Sequence, residues 1–559
     1  MKDLIVKELA KHVNLDKQII LNSIEIPPSS ELGDFSFPCF ALSKELKKNP
    51  MEISKELANK IKSGEFEKVE AKGPYVNFFL NKKDLAEKTL KSILKEKAKY
   101  GSSKSGKGKK VMIEFSQANT HKAFHVGHIR GTSLGESIAR LMEFNSTKVI
   151  RANYQGDTGM HVAKWLWCYK KYHSNEKLKE DESWIASIYV EASRKLAENP
   201  LLQDEVNVIN QQLELGKDKP LMKLWKESRS YCLKAFENIY SELNTHFDKY
   251  YFEREFEILG KEIALDLVTK GIAKISDDAT IMNLEEDGLS VWVLLRKDGT
   301  VLYSSKDLAL AEKKFKDFKL DQSINIVADE QNLHFKQLFR TLELKGFKDV
   351  KKCKHIPFGL VRLPTGKMSS RTGENILYSS FLDELKEFVK IEITKREKLK
   401  EKELEQRALA IAISSLKYSM LKQSSNNIII FNKEEALDLN GNTGPYLLYS
   451  YARAKNILKK AKYKSSSKLN IKSLSAKEKE LIIKMQQFPE VVNHAHTNLS
   501  PNLIANYSFE LAQLFNEFYQ SEQVIGSENE SVKLVIVDSF AQVLKNALNL
   551  LGIETLERM

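Results

Sequence analysis

The chain has 559 residues, with 88 Lys and Arg against 75 Asp and Glu and a formal charge of +13. That length accommodates three or four domains around a large core, and the basic excess suits a polyanionic partner such as a nucleic acid better than a membrane surface. No apolar run reaches membrane-spanning length, and the first nine residues, Met1 to Leu9, are too acidic for a transit peptide, so a cytoplasmic location is expected. Cys39, Cys168, Cys232 and Cys353 are isolated from one another, which argues against a disulfide framework and against structural zinc. Twelve prolines and 24 glycines fall well below the roughly 12% usual in globular chains, and predict a helix-rich protein.

In chain order, residues 1–90 alternate helical and strand patterns and end in Val69-Glu-Ala-Lys-Gly-Pro-Tyr-Val-Asn-Phe-Phe-Leu80, an α+β domain. Residues 91–110 form a linker whose second half, Gly101 to Lys110, is rich in Gly, Ser and Lys and is expected to be flexible and basic. From 111 to 380 strands and helices alternate as in a doubly wound parallel sheet with its ligand at the strand C-termini. Val111-Met-Ile-Glu-Phe115 reads as a buried strand and Gly131 to Phe144 as a helix, so His125, Gly127 and His128 fall at the strand-to-helix turn. Backbone N–H groups there would face a phosphate, imidazoles can donate to its oxygens, and the missing side chain at Gly127 would let an adenine or ribose approach.

A charged helical stretch over about 172–250 interrupts this domain. Strand patterns resume at Gly288-Leu-Ser-Val-Trp-Val-Leu-Leu295, with a hairpin turn at Lys297-Asp-Gly299, and again at Ile324-Asn-Ile-Val-Ala328. Tyr303 and Asp307 are spaced i, i+4 and share a face if Tyr303 to Phe315 is helical; an ordinary acidic helix start has the same look. Gly366-Lys-Met-Ser-Ser-Arg-Thr-Gly373 is a cationic, hydroxyl-rich loop able to close on a triphosphate, although alone it also reads as a solvated turn. From 381 to 559 long amphipathic helices predict an all-α bundle.

The two motifs, in this order and with a helical insertion between them, resemble the HIGH and KMSKS signatures of class I aminoacyl-tRNA synthetases. Their flanks resemble the arginyl-tRNA synthetases: Ser116-Gln-Ala-Asn-Thr-His-Lys-Ala-Phe-His-Val-Gly-His128, Asn153-Tyr-Gln-Gly-Asp-Thr-Gly159, Tyr303-Ser-Ser-Lys-Asp307 and Gln331-Asn-Leu-His-Phe335. Gly444-Pro-Tyr-Leu-Leu-Tyr-Ser-Tyr-Ala-Arg453 and Leu556-Glu-Arg-Met559 extend the similarity over nearly the whole chain.

This resemblance implies a Rossmann-like, HUP-type catalytic domain, an N-terminal domain at the tRNA elbow and a C-terminal anticodon-binding bundle. The implied reaction joins L-arginine to ATP, as its Mg2+ complex, giving arginyl-adenylate and pyrophosphate. Arginine then passes to the terminal adenosine of its tRNA, with tRNA required already for the first step. No zinc and no membrane are implied, and a monomer is expected.

By the same resemblance, His125, Gly127, His128, Lys367, Met368, Ser369, Ser370 and Arg371 bind ATP, with His125, His128, Lys367 and Lys122 acting in catalysis. Glu114, Tyr303 and Asp307 hold the guanidinium, a planar permanent cation that demands carboxylates and acceptors. Gln117, Ala118, Asn119, His128 and Gln331 complete the arginine site. Tyr75 and Asn77 match D-loop contacts, and Tyr446, Arg453 and Met559 match anticodon contacts. Tyr75 packing its own sheet, and a Tyr-Leu-Leu-Tyr core pattern at Tyr446, are the plain alternatives.

Two departures stand out. Ser370, with Arg371 behind it, replaces the second KMSKS lysine, and Lys122 offers a cation just before the first motif instead. Thr158 replaces a tryptophan common in the family. Three other readings are an inactive tRNA-binding relative, a class I synthetase for cysteine or glutamate, and a nucleotidyltransferase unrelated to tRNA. Intact motifs disfavour the first. Absent zinc ligands and an acidic pocket disfavour the second, and chain length the third.

Overall fold

The structure is a computed structural model that describes residues 2–25, 27–62, 64, 66–364, 377–465, 469 and 471–559. The chain forms two compact units, residues 1–97 with 460–486 and 514–540, and residues 98–459 with 487–513 and 541–559.

In the first unit, Tyr75–Leu80 lies between Phe35–Pro38 and Phe66–Lys72 in an antiparallel sheet, with Phe37 opposite Val76 and Val69 opposite Phe78. Alternation puts Phe37, Val76 and Phe78 into a core with Ile5, Leu9 and Ile53. Helix Pro50–Lys60 starts with proline in its first turn behind the Asn49 cap, which accepts from the Met51 N–H, as expected where a helix N-terminus leaves donors unpaired.

In the second unit, five parallel strands lie in the order Cys353–Phe358, Gln322–Ala328, Lys110–Glu114, Lys148–Gln155 and Lys249–Phe252. Sequence order runs outward in both directions from Lys110–Glu114. The switch point therefore lies between that strand and Gln322–Ala328, where ligands enter doubly wound sheets. Val111 to Glu114 are all buried, as a central strand covered on both faces requires. Helix Val126–Phe144 follows the first strand and sits close on the sheet: a Cβ at Gly135 would lie 2.1 Å from Phe115 Cγ.

The insertion comprises Glu182–Glu198, Gln203–Leu215 and Lys219–Glu242, which with Met160–Tyr172 bury Trp165, Ile188, Val206 and Trp225 in a core of their own. Beyond residue 378 the second unit is helical, with Tyr378–Thr394, Glu401–Leu421, Gly444–Lys460 and Phe488–Asn498, apart from a short strand at Ile429–Ile430.

Two expectations differ from the structure. Val291–Leu295 belongs to a separate antiparallel sheet with Lys274–Ser276 and Ala279–Asn283. Its alternating burial suits a sheet with one wet face, and the predicted turn does follow, Arg296 N–H donating to Thr300 C=O at 2.9 Å. The Gly101 to Lys110 segment is tied down. Gly106 N–H donates to Asn145 C=O at 2.8 Å and Ser103 Oγ to Asn145 Oδ1 at 2.6 Å, and a Cβ at Gly106 would meet Thr147 Oγ1 at 1.9 Å. Glycine there serves close approach rather than flexibility, which composition alone does not distinguish.

Candidate active site

The loop from Phe115 to Phe124 leaves the first strand at its C-terminal end and carries three non-glycine residues at positive φ, Ser116 (76°), Gln117 (48°) and His121 (60°). Such backbone costs about 1–3 kcal/mol per residue and persists only where its surroundings over-determine it. Here they do. Thr120 gives both its N–H and its hydroxyl to Gly156 C=O, at 2.9 and 3.1 Å. His121 is fully buried between Thr120 Oγ1 (3.0 Å) and Ser228 Oγ (2.8 Å), edge-on to Trp165. Burial, with Arg229 nearby, pushes its pKa down to about 3, so it is a neutral anchor of the loop.

His125 caps helix Val126–Phe144, and the two motif histidines interlock. Gly127 N–H donates to His125 Nδ1 at 3.2 Å, and His125 N–H donates to His128 Nδ1 at 3.1 Å. Both Nδ1 atoms are acceptors, so each neutral ring carries its proton on Nε2. Burial, then Lys122, pushes His125 down to about 4, and burial with His125 and Lys122 holds His128 well below 6.5. At neutral pH the pair is uncharged, and its Nε2–H groups are donors. A Cβ at Gly127 would sit 2.9 Å from His125 Cε1, so the glycine makes room for the interlocked ring. Lys122 lies 5.4 Å from the Tyr189 ring centre, its pKa lowered first by burial and then by Lys164.

Glu114 and Asp307 line one small cavity, together with Lys314 and Asn325. Glu114 is already engaged: Lys314 Nζ lies 2.6 Å from its Oε2, Asn325 Nδ2 donates to Oε1 at 2.8 Å, and Gln117 Nε2 at 3.4 Å. Asp307 Oδ2 pairs with His334 Nε2 at 2.7 Å, while its buried Oδ1 has no hydrogen-bond partner among the described residues. Tyr303 packs on the same His334 ring at 4.8 Å, so the two residues spaced i, i+4 do share a face. The buried Tyr154 hydroxyl is also unpartnered among the described residues, and burial with Asp307, Glu253 and Glu114 around it holds its pKa well above 10. Buried polar groups left unpaired call for an explanation, and a polar ligand is one.

Asn119 and Glu253 close on Gly156, where a Cβ would fall 2.2 Å from Asn119 Oδ1 and 3.0 Å from Glu253 Oε1. Ala118 is buried, and Gln331 ends the 3-10 turn that follows strand Gln322–Ala328 at the switch point. Thr158 is buried and donates to Glu257 Oε1 at 2.9 Å. Lys367, Met368, Ser369, Ser370 and Arg371 lie outside the described residues. Leu377, just after them in sequence, forms an antiparallel bridge with His125.

Of the expected RNA contacts, Tyr75 packs edge-on against the exposed Phe40 ring at 5.8 Å, whereas Asn77 is buried within the sheet. Tyr446 packs on Phe509 at 5.5 Å. Arg453 donates to Tyr449 Oη at 3.0 Å, and Tyr449 and Met559 line an apolar cavity of about 70 Å3. Tyr449 lies within the Gly444 to Arg453 stretch but is not among its expected RNA contacts; its place one helical turn before Arg453 is the local clue to this contact.

Among the described residues, one group could hold a cation: Cys168, His173 and Glu191, whose ligand atoms lie within 4.8 Å of one another. Lys195 already pairs with Glu191 at 3.3 Å and Glu176 with His173 at 2.6 Å, so the group is balanced without an ion. Among the described residues, no helix is long and apolar enough to cross a membrane.

Comparison with known proteins agrees over the whole chain. The family model for the class I tRNA synthetase (R) catalytic domain matches residues 89–433, the arginyl-tRNA synthetase N-terminal domain 1–80, and the DALR anticodon-binding domain 447–559. Arginine–tRNA ligases of Clostridium acetobutylicum and Clostridium perfringens are each 37% identical over 100% of both chains. The solved arginyl-tRNA synthetase of Thermus thermophilus shares the fold with a TM-score of 0.79 at 24% identity, covering 100% of this chain and 99% of that one. That of Plasmodium falciparum gives 0.74 at 22%, covering 96% and 94%. The chain therefore belongs to the arginyl-tRNA synthetase family of class I aminoacyl-tRNA synthetases.

Proposed function

We propose that this protein activates L-arginine with ATP and transfers it to its cognate tRNA, using the turn at His125 and the pocket around Asp307. Two neutral imidazoles whose protons sit on Nε2, on the loop and helix that follow the strand ending in Glu114, and the unpartnered Asp307 Oδ1 among the described residues support this most directly. The arginine carboxylate attacks the α-phosphorus and pyrophosphate leaves; a ribose hydroxyl of the terminal adenosine then attacks the mixed anhydride. No side chain needs to form a covalent bond. His125 and His128 donate to the phosphates, and Lys122 adds positive charge beside them. Rate enhancement rests on position and preorganised dipoles. Lys367 to Arg371 are assigned to the pyrophosphate side.

In the pocket, Asp307 and Tyr303 take the guanidinium, with Glu114 as a second carboxylate whose charge Lys314 balances in the free protein. Gln117, Ala118, Asn119, His128 and Gln331 surround the amino-acid end. A site of this kind rejects citrulline or lysine, which would leave buried groups unpaired. Tyr75 with Phe40, next to the buried Asn77, is assigned to the tRNA elbow, and Tyr446, Arg453 and Met559 to the anticodon. The reading includes Mg2+ bound with ATP, no zinc, a monomer, a cytoplasmic location, and the domains 1–90, 111–380 and 381–559, with 91–110 between the first two. Pyrophosphate exchange with each of the twenty amino acids, with and without tRNA, tests it: exchange with arginine alone, and only with tRNA, is expected. Exchange with another amino acid overturns the pocket assignment.

A further inference from the structure

The phosphate-binding turn is held from outside its own domain core by the first residue of the insertion helix. Glu182, buried at the start of Glu182–Glu198, accepts from Phe124 N–H through Oε1 at 3.0 Å and from Ser379 N–H through Oε2 at 3.3 Å. Phe124 C=O in turn accepts from Tyr378 N–H at 2.9 Å, and Ser183 Oγ meets Ser379 Oγ at 3.2 Å. One carboxylate thus ties the residue before His125 to the first turn of helix Tyr378–Thr394. The same insertion helix carries Tyr189, over which Lys122 lies.

We propose that Glu182 is a positioning residue for ATP activation, its two oxygens holding the His125 turn against the Tyr378–Ser379 backbone. This rests on the assignment of His125 and His128 to the phosphates. The ionised carboxylate accepts from both backbone donors at full strength; protonation leaves one oxygen a much weaker acceptor and adds an O–H that must find its own partner. Burial pushes Glu182 up to about 7, which brings that loss into the physiological range.

Asp181 on its own helix, Lys122, His125 and His128 on the turn, and Tyr378, Asp383 and Glu242 are the titratable groups around the contact. Both histidines are neutral there, Tyr378 is held well above 10, and Glu242 is also raised by burial, so a variant must separate Glu182 from Glu242.

The test is steady-state ATP–pyrophosphate exchange with arginine and tRNA present, from pH 6 to 8.5, for wild type, E182Q, E182D and H125A. A misplaced turn costs about 10- to 100-fold in kcat or in KM for ATP, and the KM for arginine stays unchanged. Wild-type exchange falls as pH drops through about 7, whereas E182Q, which keeps one acceptor but adds a donor, is low and flat. E182D, one methylene short of spanning both donors, shows a smaller loss without a lower melting temperature, and serves if E182Q does not fold. Wild-type kinetics and an unchanged pH profile in E182Q, or full activity in E182D with a flat wild-type profile, overturn the proposal. If H125A is inactive at the same time, the functional reading survives that failure. Absence of exchange in the wild type itself overturns the functional reading.

Discussion

Lys314 Nζ lies 2.6 Å from Glu114 Oε2, and both side chains are almost wholly buried. A cation supplied by the protein thus already balances a carboxylate assigned to the substrate guanidinium. Removing one member of a buried pair costs about 3–5 kcal/mol, because the other is left charged and unpaired. K314Q should therefore lower the melting temperature sharply, and saturating arginine should raise it more than in the wild type, by returning a cation to Glu114. E114Q should abolish most of the arginine-induced shift. Equal arginine shifts in wild type and K314Q would show that Glu114 does not meet the substrate.

The motif histidines are neutral and are assigned as donors to the phosphates, so their replacement removes hydrogen bonds and no net charge. H125A and H128A should each lower exchange by about 100- to 1,000-fold, the usual effect of losing one preorganised donor. Their depressed pKa values also have a stability consequence. Between about pH 6.5 and about pH 4 the unfolded chain binds a proton on His125 that the folded chain refuses. Stability must therefore fall as pH drops across that window. Chemical denaturation at pH 7 and pH 5 should show the loss, and H125A should reduce it.

Arg130 is buried and gives its guanidinium to four carbonyls, those of Gly359 (2.6 Å), Leu360 (3.3 Å), Ser424 (3.3 Å) and Ser425 (2.7 Å). It joins helix Val126–Phe144 to the chain just before Val361–Arg362 and just before Ile429–Ile430. R130A would strand those acceptors and is expected to cost about 3–5 kcal/mol in urea unfolding. R130K keeps the charge but lacks the planar fork, and should recover only part of it. A variant within about 0.5 kcal/mol of wild type, the range of ordinary surface changes, would contradict this.

Gly156 admits no side chain, because a Cβ there would press on Asn119 Oδ1 at 2.2 Å. Asn119 is assigned to the amino-acid end, so G156A, which displaces it, should raise the KM for arginine more than the KM for ATP. The reverse pattern in initial-rate kinetics would place Asn119 on the nucleotide side.

Features carried by spacing along the chain are legible in the sequence. His125, Gly127 and His128 do sit at a strand-to-helix turn, since the apolar run 111–115 and the helical periodicity after 131 are local signals. Tyr303 and Asp307 do share a face, since 3.6 residues per turn makes i, i+4 neighbours of them. Pairings across long sequence separations are not legible there: Lys314 with Glu114, His334 with Asp307, Glu182 with Phe124 and Ser379. No periodicity announces such contacts, and a lysine or glutamate on a helix more often faces water.

The sequence by itself determined the family, the order of the elements and the kinds of side chain at the site, because motif, periodicity and composition are properties of neighbours along the chain. The tertiary structure alone decided their chemical state. Burial makes His125 and His128 neutral, interlocked N–H donors put their protons on Nε2, and Lys314 compensates Glu114. Protonation and charge depend on desolvation and on partners brought together only by folding.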